Sequence, residues 1–386
     1  MLHKFHPFSH AAIALGLSLA MPILSNAQQS APQPPRPPQP PTVDKAGQPI
    51  EATPAAMQPP ASLIRHGSPT PISKPAGALR IGNYNVENLF DDKDDPALSG
   101  RYEDKDNLKP DDHCKAAAAA IRAINADVLA LQELESKESL IWFRDNYLAD
   151  LGYQYVESID AGDERGIEQG VLSRYPLSDV KNWVHLDLGG THPDKWGNSS
   201  NENAGKPITF HRSPLRVTVT VPLSLIPGMT PASVPEPYTV TLFVVHQKSG
   251  GSGNYWREKE AAKTVELLSE FETSNPQANI LLMGDFNARP DDKPIKIITS
   301  GLPGLVDAFA PVRGKRDSQY MTHASDRSID YIFLNANAAK ELIAETRFIL
   351  GTPTRPAGTD YRTTPPPPGY ASDHYPVVID LVPADK

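Results

Sequence analysis

Short apolar runs recur along this 386-residue chain, and their spacing separates strands from helices. Short β-type runs span Leu79 to Val86, Val128 to Gln132, Tyr153 to Ile159, Gly170 to Ser173 and Leu215 to Val221. Others span Tyr238 to Val245, Ile280 to Gly284, Ser328 to Leu334 and Val377 to Val382, and all of these predict strands. Helical spacing marks Asp112 to Asn125, Glu138 to Ala149, Tyr255 to Phe271 and Pro294 to Ser300. Asp111 or Asp112 is placed to cap the first helix. On the third, Arg257 with Glu260, and Glu260 with Lys263, set opposite charges at i,i+3 spacing. Strands outnumber helices and do not alternate strictly with them. The expected class is therefore α+β, a four-layer α/β/β/α sandwich of two mixed sheets packed face to face and flanked by helices. The low-regularity stretches 189–209 and 351–370 are expected to be loops that shape substrate access.

The first residues break this pattern. His3, Lys4 and His6 precede an apolar run from Ala11 to Leu24, and Ser25-Asn26-Ala27 supplies a small-x-small site. This predicts a signal peptide, residues 1–27, with cleavage after Ala27 and a mature protein in the periplasm or outside the cell. The run is too short for an ordinary transmembrane helix, so no stable membrane insertion is expected. Residues 28–77 are rich in Pro, Gln, Ser and Ala and carry few large apolar groups, which predicts an extended, largely disordered Pro-rich linker. Residues 78–386 then form one catalytic domain, with no internal repeat and no second long linker. No sequence feature identifies a protein partner, and a monomer is expected.

Composition narrows the chemistry. A formal charge of −9 argues against binding nucleic acid through a uniformly basic surface. It leaves room for an enzyme whose divalent cation supplies positive charge locally. The single cysteine, Cys114, rules out an intrachain disulfide and a thiolate zinc site, and is read as a packing residue. Any metal must be held by oxygen and nitrogen.

Ionisable and amide side chains gather where predicted strands end: Asn85 and Glu87 after the first, Gln132-Glu133 after the second, His246-Gln247-Lys248-Ser249, and Gly284-Asp285-Phe286-Asn287. Asp330 opens a further strand, and Ser372-Asp373-His374 leads into the last. Taken singly, each has an ordinary explanation: Asn85 caps a turn, Glu133 pairs on the surface, and Asp285 with Asn287 makes an Asx-turn. Together, strand-end clusters in one domain are hard to assign to turn chemistry alone, because a rigid sheet aims them into one cleft. Their carboxylate-rich, sulfur-poor character suits Mg²⁺, Mn²⁺ or Ca²⁺.

The motifs Tyr84-Asn85-Val86-Glu87-Asn88-Leu89-Phe90, Leu131-Gln132-Glu133, Gly170-Val171-Leu172-Ser173, Val245-His246-Gln247-Lys248-Ser249, Gly284-Asp285-Phe286-Asn287, Ile329-Asp330-Tyr331 and Ser372-Asp373-His374 occur in this order. In that arrangement the chain resembles the endonuclease/exonuclease/phosphatase superfamily, and in particular its secreted bacterial nucleases. The resemblance implies that Asn85 and Glu133 hold the divalent cation, with Asp373 binding it or a second one. It implies that Asp285 orients or deprotonates the attacking water, and that Asn287 holds water or phosphate. His374 would contact the scissile phosphate, Asp330 would fix its tautomer and favour its protonated form, and His246 would serve a phosphoryl oxygen or the leaving group. Whether Asp285 or His374 is the base stays open.

Lys248 and Arg165 are candidate phosphate contacts, and Arg212 is a weaker one. Glu87 shares a face with Asn85 and is a candidate for the metal's surroundings. Two departures from the family pattern fall near the site: Gln247 where an apolar residue is common, and Arg327 one residue farther from Asp330 than usual. The expected function is an exported nuclease acting on DNA or RNA. A phosphatase or a phospholipase C or sphingomyelinase-type hydrolase of the same superfamily is the alternative, ahead of a non-catalytic binding module.

Overall fold

The computed structural model describes residues 61–384, apart from 97, 99–106, 197, 230–236 and 314–316. The expected signal peptide and the linker up to residue 60 lie outside the described residues. Two six-stranded sheets form the centre. In chain order their strands are β1 (Leu79–Leu89), β2 (Val128–Leu134), β3 (Tyr155–Ser158), β4 (Glu168–Ser173), β5 (Leu177–Lys181) and β6 (Leu215–Val221). There follow β7 (Tyr238–His246), β8 (Asn279–Asp285), β9 (Val306–Asp307), β10 (Asp330–Leu334), β11 (Phe348–Ile349) and β12 (Val377–Leu381). One sheet runs β11-β12-β1-β2-β4-β3 and the other β9-β10-β8-β7-β6-β5. Each has one parallel pair at its centre, β1 with β2 and β7 with β8, flanked by antiparallel neighbours.

The parallel pairs require crossovers. Helix α1 (Asp111–Ile124) makes the first and is followed, after β2, by α2 (Lys137–Tyr147). Helix α3 (Asn254–Ser274) makes the second, and α4 (Lys293–Gly301) follows β8. Cys114, Ala117 and Ile121 of α1 pack on Tyr84, Leu129 and Leu131, the outer face of the first sheet. Trp256 and Leu268 of α3 and Ile298 of α4 pack on Phe243, Ile280 and Leu282 of the second. Between the sheets lie Ile81, Val128, Ala130, Val217, Leu242, Val244, Leu281, Met283 and Ile332. This is the expected four-layer arrangement, and Cys114 is buried as expected.

Several local expectations need correction. Pro110, not an aspartate, is the N-cap of α1, because Asp111 already lies in the first turn and is taken up by Lys115 and the Tyr147 hydroxyl. The charge pairs expected on α3 do not form. Glu260 is buried and accepts the backbone N–H groups of His211 and Lys248, while Arg257 donates to the carbonyls of Lys248 and Gly250. The stretch 189–209 is not wholly irregular: Asp187–Thr191 pairs with Pro207–Thr209, and Lys195–Trp196 with Ser199–Ser200.

The largest correction concerns residues 61–77, expected to be linker. Ser68 N–H donates to Ile349 O at 2.7 Å, Gly351 N–H to Ser68 O at 2.8 Å and Thr354 N–H to Leu63 O at 3.1 Å, and Lys74 pairs with Asp127. Apart from a short 3-10 helix at Ala61–Leu63 and single β-bridges at Ile64 and Ser68, the segment has no regular structure of its own, yet its groups find partners on the domain.

One packing detail yields a stability prediction. Ser158 Oγ lies 2.6 Å from Glu168 Oε2 and 2.8 Å from Gln169 O. One hydroxyl proton cannot serve two acceptors, but a protonated Glu168 donates to Oγ and leaves that proton for Gln169 O. Burial, opposed by the Ser158 hydrogen bond and reinforced by Asp160 and Glu138, pushes the Glu168 pKa up to about 7. The folded state thus holds this proton more tightly than the unfolded chain does. The stability it confers is complete below the unfolded pKa and is lost as pH rises through 7. Glu168→Gln is expected to gain on the order of 2 kcal/mol at pH 8 and little at pH 4. Urea titrations at the two pH values measure the difference, and equal gains would disconnect Glu168 from the pH dependence.

Candidate active site

The site continues the same alternation that builds the core. Along β1 the inward positions run Ile81, Asn83, Asn85; along β8 they run Leu281, Met283, Asp285; along β7 they run Leu242, Val244, His246. The apolar series therefore gives way to polar side chains at the strand ends without leaving the inner face. Glu133 reaches the site differently. Strict alternation would face it outward, but it has φ +65° and lies where the β2 register shifts between Gln132 and Leu134, a bulge that re-aims it. Glu87 and Asn88, also at positive φ, sit in the matching irregularity of β1. Gly284 has φ +142°, and a Cβ there would fall 1.9 Å from Val245 O, so only glycine brings β8 this close to β7.

Asp285 is the hub. Its Oδ2 lies 3.3 Å from Asn85 Nδ2, 3.1 Å from Asn287 Nδ2, 3.5 Å from His246 Nε2 and 3.7 Å from His374 Nε2. Asn287, at φ +48°, donates its backbone N–H to Asp285 Oδ1 at 2.8 Å and also bonds Gln247 O. Asn85 Nδ2 lies 3.2 Å from Glu133 Oε1, and Asn88 N–H donates to Glu133 Oε2 at 3.1 Å. Ser372 Oγ–H donates to Asn85 O and Oγ accepts His374 N–H, which ties the last motif to the first.

The two histidines are held in opposite states. His374 Nδ1 lies 3.0 Å from both oxygens of Asp330. Burial opposes its charge, but Asp330 and Asp285 outweigh it and hold the His374 pKa well above the ordinary histidine value. His246 is buried with no hydrogen-bond partner at Nδ1 among the described residues. Burial, with Arg212 and Arg165 nearby, holds its pKa well below the ordinary value. Burial also pushes Asp285 up to about 7, assisted by Asp330 and Glu133 and opposed by His374.

Glu133, His246, Asp285, Asn287 and His374 line a cleft of about 670 Å³ that also includes Glu87, Asp373, Arg165, Arg355, Tyr361 and Tyr370. Asn85, Glu133, Asp285, Asn287, Asp330, Asp373, His246 and His374 are thus brought together, and Arg165 stands on the wall beside them. Lys248 is not: its amine donates to Ser249 O and sits over the Trp256 ring, with Ser249 reaching the cleft instead. Arg212 is fully buried and donates to His246 O, Gln247 O and Asp163, so it clamps a strand end and does not meet substrate. His323, absent from the expected set, lies 3.2 Å from Asp373 Oδ2 and edge-on to His374, with ring centroids 4.5 Å apart.

The donor set bears on a metal. His374 Nδ1 is taken by Asp330, which favours the charged ring, and His323 is engaged at Nδ1 by Ser325 N–H and at Nε2 by Asp373. Both rings nevertheless stand close enough to carboxylates to form candidate metal groups, His323 with Asp373 and His374, and Asp285 with Asp330 and His374. Glu133 and Asp373 offer carboxylate oxygens to the cleft, with Asn85 buried beside Glu133 and its Oδ1 accepting Glu87 N–H, and such an oxygen-rich set fits a hard divalent cation better than a soft one.

A cationic and a neutral imidazole set on either side of a carboxylate, above oxygen donors, are the equipment of a hydrolase that works at phosphorus. Residues 82–374 match the Endonuclease/Exonuclease/phosphatase family, and the chain belongs to it. Enzymes of this family hydrolyse phosphodiester or phosphate ester bonds and depend on divalent metals. Among solved structures, the human Nocturnin catalytic domain is similar at 15% identity over 78% of this chain and 92% of that one, with a TM-score of 0.48. A truncated Caenorhabditis elegans TDP2 is similar at 13% identity over 79% and 97% (TM-score 0.46), and the Bacteroides thetaiotaomicron mannosyl-6-phosphatase Bt3783 at 14% over 79% and 99% (TM-score 0.46). No curated protein sequence matches the chain.

Proposed function

We propose that this enzyme is an exported nuclease, hydrolysing phosphodiester bonds in DNA or RNA with Mg²⁺ or a similar cation. The observation that carries the reading is the contrast between the cleft's floor and its rim. Glu133, Asp285 and Asp373 supply acidic groups within the cleft, whereas Arg165, Arg355 and the exposed Tyr361 stand beside them; Tyr370 is buried and tied to Glu87 through its hydroxyl. The Arg355 guanidinium stacks 4.6 Å from the Tyr370 ring centroid, and the Tyr361 side chain is exposed. Guanidinium groups suit flanking phosphates, and exposed aromatic faces suit unstacked bases. A phosphomonoester would use the floor and leave the rim without a partner.

The residues divide the reaction among them. Asp285, with a pKa near neutrality, takes the proton of the attacking water, and Asn287 and Asn85 hold it in place. His374 is already an imidazolium, so it faces the charge that develops on the phosphoryl group and is not the base. His246 is neutral and donates from Nε2 toward a phosphoryl or leaving oxygen. Asn85, Glu133 and Asp373 would hold the divalent cation, which supplies neutralisation of phosphoryl charge. Export rests on the N-terminal apolar run and small-x-small site. Among the described residues no helix is long and apolar enough to cross a membrane.

The test is purified mature protein incubated with plasmid DNA, RNA, sphingomyelin and phosphomonoesters, with Mg²⁺, Mn²⁺, Ca²⁺ or EDTA. Chelator-sensitive cleavage of DNA or RNA is expected. Cleavage of lipid or of phosphomonoesters, with nucleic acid left intact, would overturn the nuclease reading.

A further inference from the structure

His323 lies beside the chemistry described above but takes no step in it. Its Nδ1 is 2.9 Å from the backbone N of Ser325. A peptide N–H can only donate, so Nδ1 is the acceptor and the proton of the neutral ring sits on Nε2. That nitrogen faces Asp373 Oδ2 at 3.2 Å. Asp373 is the more solvent-open carboxylate of the site, its side chain 39% exposed, and such a group is free to rotate unless something pins it. With Oδ2 held by His323, Oδ1 is left 3.8 Å from His374 Nε2 and presented to the cleft.

The loop carrying His323 is gripped from two sides. On the inner side Ala324 N–H donates to Asp373 O at 2.7 Å and Tyr375 N–H to Thr322 O at 2.8 Å. On the outer side it meets the segment that precedes the family region. Arg65 donates to Ala324 O and to Asp326 Oδ1, both at 2.8 Å, and His66 Nε2 lies 2.8 Å from the same carboxylate oxygen. Gly67 N–H donates to Ser318 O, and Gly67 has φ +76° with its missing Cβ only 2.5 Å from Gly351 N, so the segment is seated closely.

We propose that His323 is a positioning residue for Asp373, and that Arg65 and His66 hold the 322–327 loop so that it acts as one. The segment around residues 63–68 is then part of the working active site, although it lies outside residues 82–374. The proposal rests on the chain being a phosphoester hydrolase and not on the substrate being nucleic acid.

The test uses the full mature chain and bis(p-nitrophenyl) phosphate, a substrate without bases or lipid. His323→Ala is expected to lower kcat by about 10- to 100-fold with little change in KM, as for loss of a group that orients a ligand. His323→Gln retains a donor near Nε2 and is expected to recover most of that loss. Arg65→Ala is expected to cost about tenfold alone and almost nothing further in the His323→Ala background, because both act through one contact. Independent of turnover, side-chain ¹⁵N–¹H spectra of the metal-free protein are expected to show His323 protonated at Nε2, with that signal weakened in Arg65→Ala. An Nδ1-protonated ring would overturn the proposal even if no substrate were cleaved. Fully additive losses in the double variant, or equal losses in the Ala and Gln variants, would overturn it as well.

Discussion

Asp285→Asn is expected to lower turnover by about a thousandfold while the circular-dichroism spectrum stays that of the wild type. The substitution preserves shape and removes the one charge on which Asn85, Asn287, His246 and His374 converge within 3.7 Å. An amide cannot accept the water's proton, and the neighbouring amides and imidazoles offer no replacement base. In the wild type, a carboxyl pushed up to about 7 makes the rate climb as pH rises toward neutrality, because the deprotonated form is the active one. The residual activity of the variant is expected to lose that acid limb. Activity within tenfold of wild type, in a folded Asp285→Asn protein, would remove Asp285 from the reaction.

Asp330→Asn is expected to act on the other limb. Asp330 grips His374 Nδ1 with two 3.0 Å contacts and favours the imidazolium over the neutral ring. Without that charge the His374 pKa falls toward its ordinary value, so the cation is lost at a lower pH. The alkaline limb of kcat/KM should move down toward neutrality, with a loss of about a hundredfold at pH 8. A pH–rate profile of the two proteins decides the matter. An alkaline limb that stays where it was would show that Asp330 does not control the proton on His374.

These groups could be read from the sequence because most of them flank an apolar run, at its end or just before it. His246 follows Leu242 to Val245, and Asp285 follows Ile280 to Gly284, so strand direction and side-chain parity aim them before any fold is known. The same rule fails for Lys248, two residues past the strand, where the chain has already turned toward α3 and Trp256 captures the amine. Arg212 misled for another reason. A buried guanidinium that satisfies two carbonyls and Asp163 has the same sequence signature as one awaiting a phosphate. His323 sits in a turn with no periodicity, and its partner Asp373 is brought to it only by the docking of β12 beside β1. Edge strands as short as Val306–Asp307 and Phe348–Ile349 carry too few residues to show alternation. Residues 61–77 were illegible because composition reports what a segment lacks, whereas this one is held by backbone bonds and by single long-range partners of Arg65, His66 and Lys74.

The central parallel pair of each sheet contributes half of the constellation: β1 and β2 carry Asn85 and Glu133, and β7 and β8 carry His246 and Asp285. The 3.3 Å contact from Asn85 to Asp285 therefore spans the seam between two separately hydrogen-bonded bodies. Ile81, Val128, Val244 and Met283, which fill that seam, work as shims that set its gap. Thinning one of them would be felt as a misalignment of the catalytic groups, in a protein whose every catalytic side chain is intact. In this enzyme the fit of the interior and the calibration of the chemistry are one adjustment.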